Sequence, residues 1–184
     1  MGTVLLGILL LPLPASLSTS SPFDAVLGDG VGPTATSDGE VPDGTTVHDD
    51  HLPAVGNLDG ALLDALRDAT ADAAEDGVRL EVNSGWRSAD HQARLFREAV
   101  AEHGSEEQAA RWVASPEASA HVSGDAVDIG PADGRTWLAE HGARFGLCRV
   151  YANEPWHFEL RPDAPVDGCP TMYADASHDP RTQR

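Results

Sequence analysis

Apolar residues recur every three or four positions between residues 58 and 73, which is the spacing of one face of an α-helix. Gly77 follows them at a position typical of a helix end. The repeated apolar side chains are Leu58, Leu62, Leu66, Ala69 and Ala73. This pattern predicts an amphipathic helix that packs one face against a core.

Strict alternation of apolar and polar residues begins immediately after this helix. Residues 78–82 read Val-Arg-Leu-Glu-Val, which is the period-two pattern of a half-buried strand. The sequence Asn-Ser-Gly at 83–85 then interrupts the pattern. The predicted strand therefore ends in a loop that carries Trp86 and Arg87.

Two more helices are predicted by serine residues that can cap them. Ser88 can accept hydrogen bonds from the first turn of a helix that ends near Gly104. Ser105 begins a capping-box pattern that closes at Gln108. The helix that this second pattern predicts contains Trp112.

The second half of the chain favours strands. Residues 126–129 and 148–151 are predicted strands on either side of a short helix at about 135–141, and residues 158–160 give another strand. A chain whose helices come first and whose strands come later has an α+β layout. We therefore predict a single α+β domain.

The N-terminal residues have the composition of a secretory signal peptide. Residues 1–14 are apolar, no charged side chain precedes Asp24, and a small polar stretch follows. The apolar run is shorter than the roughly 20 residues of a transmembrane helix. We predict a signal peptide at 1–20 and a secreted cell-wall protein with no stable membrane insertion after its removal. Because a basic N-terminal segment is missing, an uncleaved membrane anchor and a wrongly chosen start codon stay open.

The rest of the chain divides into three parts by composition. Residues 21–56 are rich in Gly, Pro, Thr, Ser and Asp, which predicts a flexible acidic linker. We assign residues 57–173 to a catalytic domain and residues 174–184 to a C-terminal tail.

The charge balance excludes one large class of partners. The 184 residues include 30 acidic and 12 basic side chains, for a net charge of -18. Binding to nucleic acid needs basic counter-charge that this chain lacks. We expect no nucleic-acid partner, and we expect a monomer.

The two cysteines, Cys148 and Cys169, agree with export from the cytoplasm. An even, small number of cysteines in an oxidising compartment usually means a bridge. A disulfide here closes a loop of about 20 residues and contributes roughly 3 kcal/mol in the chain-entropy model. Two buried free thiols are the alternative.

The residues with catalytic potential lie in two short segments. His121 and Asp128 are seven residues apart with a glycine between them, and Glu154 and His157 are three apart across a proline. Two imidazoles, one carboxylate and a further glutamate match a catalytic zinc site with three protein ligands and a separate general base. Since a proline disfavours helical geometry at the residue before it, we expect these ligands on loops and strands.

A solvated surface position is the ordinary explanation for a single histidine or acid. These residues, however, sit beside predicted strand residues such as Val127 and Phe158. Burying ionisable groups there costs several kcal/mol unless they are paired or bound to metal. The remaining histidines lack this setting and are interpreted as structural or solvated: His48, His51, His91, His103, His141 and His178.

Three segments together resemble the signature blocks of the VanY-type zinc D-alanyl-D-alanine carboxypeptidases. They read SGWRSADHQ at 84–92, SAHVSGDAVDIG at 119–130 and EPWHFEL at 154–160, in the order of that family. The resemblance spans roughly residues 58–173. It implies a Hedgehog/DD-peptidase-like α+β fold, in which helices pack on a small antiparallel sheet. It also implies hydrolysis of the terminal D-Ala-D-Ala bond of peptidoglycan stem peptides or precursors.

The same resemblance implies roles for individual residues. One zinc ion is held by His121, Asp128 and His157, and Glu154 is the general base. The family's substrate-contacting arginine, glutamine and serine match Arg87, Gln92 and Ser119. Trp86 stands where tyrosine or another aromatic residue is common.

Specificity for a free terminal carboxylate needs a local attraction, because a strongly acidic protein repels an anion at long range. Arg87 is the one arginine in the three blocks. It is the candidate second positive charge, beside zinc, for the oxyanion. We expect Arg87, Gln92 and Ser119, with Tyr151 and Trp156 as pocket walls, to select a short D-amino-acid terminus.

Other functions are compatible with the same ligands. An LD-carboxypeptidase or a peptidoglycan endopeptidase would differ at the rim of the pocket, and a non-catalytic module could bind zinc without turnover. A module that only holds zinc needs no general base. The presence of Glu154 therefore favours an enzyme.

Overall fold

The structure, a computed structural model, describes residues 36–183, and its central element is a four-stranded antiparallel sheet. The strands are β1 (Glu81–Ser84), β2 (Ala126–Gly130), β3 (Leu147–Arg149) and β4 (His157–Leu160), in the order β1-β2-β4-β3. This arrangement confirms the predicted α+β class with a small antiparallel sheet. The predicted signal peptide and residues 21–35 of the predicted linker lie outside the described residues.

Helices surround the sheet. They are α1 (Pro53–Gly56), α2 (Gly60–Glu75), α3 (Ala89–His103), α4 (Glu106–Ala109), α5 (Ala120–Ser123), α6 (Ala132–His141) and α7 (Ala164–Asp167), with 3₁₀ turns at Gly142–Phe145 and Ala176–His178. Across residues 36–183, every helix is too short or too polar to span a membrane.

Helix α2 is the predicted amphipathic helix. The side chain of Asp59 accepts hydrogen bonds from the backbone N–H groups of the first turn, so the helix has an N-cap. Its apolar face joins a core that includes Leu80, just before β1, Ile129 of β2 and Phe158 of β4. Hydrophobic burial on this face therefore fixes the sheet against α2.

The packed part of the chain extends beyond the predicted domain on both sides. Val47, Ala54 and Val55 are buried in the core, so the linker prediction is wrong for the stretch that contains them. Apolar side chains within this polar segment insert beneath the sheet, and the Thr45 carbonyl accepts a hydrogen bond from the backbone N–H of Val82. At the other end, the predicted tail is packed because Asp179 is fully buried.

The third predicted helix is shorter than expected. Helix α4 ends at Ala109, so Trp112 lies outside it. The carbonyl of Arg111 accepts a hydrogen bond from the Asn153 side chain instead of a helical N–H group. Trp112 is half exposed, and its ring stacks on that of His103 at the end of α3.

The two cysteines form a disulfide, which confirms that prediction. Cys148 of β3 is joined to Cys169, which follows α7. The bond ties the segment after the sheet back to its edge strand. A disulfide of this kind fits a protein of an oxidising, extracytoplasmic compartment.

Candidate functional site

Sheet pairing brings two of the predicted metal ligands together. Asp128 of β2 lies opposite His157 of β4 in the antiparallel register. His121 reaches the same point from α5, which ends at Gly124 with a positive φ of 83°. A Cβ atom at Gly124 would collide with the carbonyl oxygen of Asn57. Glycine is therefore required where the chain turns from His121 into β2.

The three ligand atoms form a nearly equilateral triangle. His121 Nε2 lies 3.2 Å from His157 Nδ1 and 3.4 Å from Asp128 Oδ1, and the last two atoms are 3.2 Å apart. Tetrahedral zinc with bonds of 2.0–2.1 Å requires ligand atoms about 3.3 Å apart. The donor set and its spacing therefore fit a zinc ion with a further coordination position left for water or substrate.

Hydrogen bonds fix which nitrogen of each imidazole faces this triangle. His121 Nδ1 lies 2.8 Å from the carbonyl oxygen of Gly85, and a carbonyl can only accept, so Nδ1 carries the proton. His157 Nε2 faces the Glu159 carboxylate at 3.3 Å in the same way. With these nitrogens committed to their acceptors, the other nitrogen of each ring is the one available to a metal.

Asp128 remains ionised although it is buried. Burial raises the pKa of its carboxyl, but the neighbouring His121, His157 and Arg87 hold that pKa well below its usual range. One carboxylate oxygen, Oδ1, points to the histidines, and Oδ2 accepts a hydrogen bond of 2.9 Å from Arg87. The carboxylate can thus bind a metal through one oxygen while the other is held in place.

Arg87 is partly buried behind this carboxylate, with its side chain 14% exposed. Its guanidinium donates to Ser84 Oγ, to Gln92 Oε1 and to Asp128 Oδ2. The side-chain amide of Gln92 donates in turn to the carbonyl oxygen of Ala114. Gln92 is only 1% exposed and holds Arg87 in position, and its predicted contact with substrate stays a prediction.

Glu154 lies beside the triangle without being part of it. Its Oε2 atom is 3.9 Å from His157 Nδ1, and the residue is 8% exposed. Burial raises the pKa of its carboxyl to about 7, with a further contribution from the negative charge of Asp128. A carboxylate with a pKa near neutrality is suited to both accepting and returning a proton.

The predicted substrate contacts fall into two places. Ser119 and Tyr151 line one cleft of about 400 Å³, whose lining also includes Ala120 and Val122 on either side of His121 in the chain. The Tyr151 hydroxyl donates to Asp179, so the residue offers its ring to the site. Trp156 is 36% exposed and is not among the residues that line this cleft.

Glu159, Asp179 and Arg181 form a charged cluster behind His157 that was not predicted from the sequence. Glu159 stands two residues after His157 in a strand, and this spacing places both side chains on one face. That periodicity was the available signal for Glu159. Arg181 comes 22 residues later in the chain, and local sequence carries no sign that it returns to the sheet.

We expect the metal-free protein to lose stability between about pH 7 and pH 9. Hydrogen bonds with Asp128 and Glu159 raise the pKa of His157 to about 9, although burial opposes this. A raised pKa stabilises the fold below the pKa of the unfolded state, about 6.5, and that contribution disappears as the pH rises through 9. Chemical denaturation should show a decrease of roughly 1–3 kcal/mol in the free energy of unfolding.

The zinc-loaded protein is the control, because a metal-bound histidine is already neutral and does not titrate in this range. Its unfolding free energy should vary less over the same interval. An equal pH dependence with and without zinc would show that His157 does not titrate as described.

A model of the VanY family, described as D-alanyl-D-alanine carboxypeptidase, matches residues 56–163. A curated D-alanyl-D-alanine carboxypeptidase of Enterococcus faecalis is 35% identical over 127 residues, which cover 55% of this chain and 47% of the relative. The chain thus spans about half the length of that relative.

Solved structures are similar over the same region. A zinc complex of a variant of the vancomycin-resistance D,D-pentapeptidase VanY is 32% identical, covers 56% of this chain and 72% of its own, and has a TM-score of 0.52. A related VanY complex contains D-Ala-D-Ala and is 31% identical, with coverages of 56% and 71% and a TM-score of 0.52. The LD-carboxypeptidase LdcB is 26% identical, with 72% of each chain covered and a TM-score of 0.56.

Proposed function

This chain belongs to the VanY family of D-alanyl-D-alanine carboxypeptidases, and from that membership we propose that it is a zinc-dependent carboxypeptidase. The proposed reaction is hydrolysis of the terminal D-Ala-D-Ala bond of peptidoglycan stem peptides or their precursors. The observation that carries the proposal is the buried triangle of His121, Asp128 and His157, with the Glu154 carboxyl beside it.

Zinc, when bound by these three residues, supplies a Lewis acid that acidifies water and polarises a carbonyl oxygen. Glu154 accepts the proton of the attacking water and then passes it to the departing amine. Its raised pKa favours this double role, because the carboxyl gains and loses a proton at small cost near neutral pH.

Arg87 supplies positive charge beside the reacting centre. Three of the five N–H donors of a guanidinium are accounted for by Ser84, Gln92 and Asp128. The terminal nitrogens retain further N–H groups for the oxygen on which negative charge develops. Since Gln92 and Ser84 hold the guanidinium in advance, little reorganisation is needed during the reaction.

The cleft lined by Ser119 and Tyr151 is the proposed site for the D-amino-acid terminus. Ser119 and Tyr151 line it, and the Ser119 hydroxyl is not engaged in capping α5. We assign Ser119 to the terminal carboxylate, the Tyr151 ring to the pocket wall and Trp156 to the outer rim. The VanY structure that contains D-Ala-D-Ala supports a dipeptide terminus of this kind.

A free terminal carboxylate is expected to matter for turnover. On a stem peptide ending in D-Ala-D-Ala, kcat/KM should fall at least about tenfold when the terminus is amidated, which corresponds to about 1.4 kcal/mol of transition-state interaction. Kinetics on the matched pair of peptides check this expectation.

Equal rates on the two peptides would favour an endopeptidase with the same zinc site. A stem peptide that ends in an L-D bond, assayed in the same way, distinguishes the two carboxypeptidases. A D-alanyl-D-alanine carboxypeptidase should prefer the peptide ending in D-Ala-D-Ala, and an LD-carboxypeptidase should prefer the peptide with the L-D bond. The similarity to LdcB keeps that second function as a specific alternative. A protein that binds zinc but cleaves none of the peptides would be a non-catalytic module.

The proposed location is outside the cytoplasm, in the cell wall. The disulfide between Cys148 and Cys169 supports this location, and the apolar N-terminal sequence is compatible with a signal peptide or an anchor. The monomeric state stays a prediction.

A further inference from the structure

The metal ligand His157 is held from behind by a buried carboxylate. Its Nδ1 atom faces the metal position, and its Nε2–H points to Glu159 Oε1 at 3.3 Å. Glu159 is 1% exposed. A carboxylate that accepts this proton fixes the ring orientation and makes the other nitrogen a stronger ligand.

Glu159 is itself held by the C-terminal segment. Arg181 donates through both terminal nitrogens to the two carboxylate oxygens of Glu159, at 2.6 and 3.2 Å. Arg161 adds a third donor at 2.9 Å. A buried carboxylate is stable when such charge-assisted bonds replace its hydration, so Glu159 depends on these arginines for its place behind His157.

Arg181 is fixed by a second acid from its own segment. Asp179 is fully buried and accepts hydrogen bonds from Arg181 with both carboxylate oxygens. The same carboxylate accepts a bond of 3.1 Å from the Tyr151 hydroxyl, and the Tyr151 ring lies 5.1 Å from that of His157 between centroids. The C-terminal segment is therefore linked to the His157 ring through Glu159 and also through Tyr151.

We propose that Arg181 is a positioning residue for the zinc ligand His157, acting through Glu159, and that residues 175–181 belong to the metal site. These residues lie beyond residues 56–163, which the family model matches. The inference rests on the proposed function, because it requires that the site bind zinc. A C-terminal segment with a purely structural role would affect the stability of the protein but not its affinity for zinc. The proposed role predicts an effect on zinc affinity.

Arg181→Met tests the inference, because methionine keeps an apolar stem but removes the fork of N–H donors. Loss of such an outer partner typically lowers metal affinity about 10- to 100-fold. The zinc dissociation constant of the full chain, measured by competition with a chromophoric chelator, should rise by that factor. Arg181→Lys should recover part of the affinity, and the absorption bands of the cobalt-substituted protein should shift in the Met variant.

Gln183→Ala is the matched control within the same segment. Its side chain donates to the Ser177 carbonyl and makes no contact with Glu159, so zinc affinity should equal that of the wild type. If Arg181→Met does not fold, Glu159→Gln serves instead, because glutamine keeps the shape and removes the charge. In a double variant, the effects of Arg181→Met and Glu159→Gln on zinc affinity should be strongly non-additive, because both substitutions act through the same chain of hydrogen bonds.

Wild-type zinc affinity in folded Arg181→Met, or in Glu159→Gln when Met does not fold, would overturn the inference alone. Arg181 also lines the cleft that contains Ser119 and Tyr151. A raised KM for the peptide with unchanged zinc affinity would therefore overturn the inference and make Arg181 a substrate contact instead. Wild-type protein that binds no zinc would overturn the proposed function, and the inference with it.

Discussion

Glu154→Gln is expected to abolish most hydrolysis while zinc remains bound. Glutamine has the shape of glutamate but cannot accept a proton from water, and loss of a general base costs about 10²- to 10⁴-fold in kcat. Zinc should stay because the Glu154 oxygen is 3.9 Å from the nearest ligand nitrogen and lies outside the triangle. Stability should not fall, because the neutral amide removes a carboxylate whose ionised form is disfavoured by burial.

Steady-state kinetics measure the loss of hydrolysis in Glu154→Gln, and elemental analysis of the same preparation measures its zinc content. Glu75→Gln is the matched control, since Glu75 is exposed at the end of α2, away from the site. Turnover near the wild-type level in Glu154→Gln would show that another group takes the proton. Loss of zinc in that variant would make Glu154 a ligand rather than a base.

His121→Ala is expected to lose both zinc and activity. The substitution removes one corner of the ligand triangle and leaves the Gly85 carbonyl without its imidazole partner. A bound metal is worth several kcal/mol of transition-state stabilisation, so hydrolysis should fall about a thousandfold or more. Metal content after gel filtration and the rate of D-alanine release measure the two effects.

His48→Ala is the control for the loss of a histidine, because His48 is exposed and stands outside the cluster. It should keep both zinc and activity. Full activity in metal-free His121→Ala would contradict a metal mechanism.

The main helix and the site segments could be predicted from sequence because short-range chemistry encodes them. The apolar period of α2 and its stop are local signals. The seven-residue spacing of His121 and Asp128 needs only the turn at Gly124 to close, and that turn is visible in the sequence. The carboxyl of Glu154 is placed by its distance of three residues from His157.

The ends of the domain could not be predicted in the same way. Val47 contributes to the core from a segment that is otherwise polar, and Arg181 joins Glu159 from a segment that reads as a tail. Both are long-range contacts made by single side chains without a periodic pattern. The burial of Gln92 beside Arg87 could not be predicted from its motif either, because it depends on how α3 packs.

Titration of zinc into the metal-free wild-type protein, with D-alanine release from a stem peptide ending in D-Ala-D-Ala as the readout, tests the central claim most directly. We predict no release without metal and a rate that rises with zinc until about one equivalent is bound at the site formed by His121, Asp128 and His157. Release of D-alanine that is independent of zinc, or a zinc-saturated protein that releases none, would contradict it.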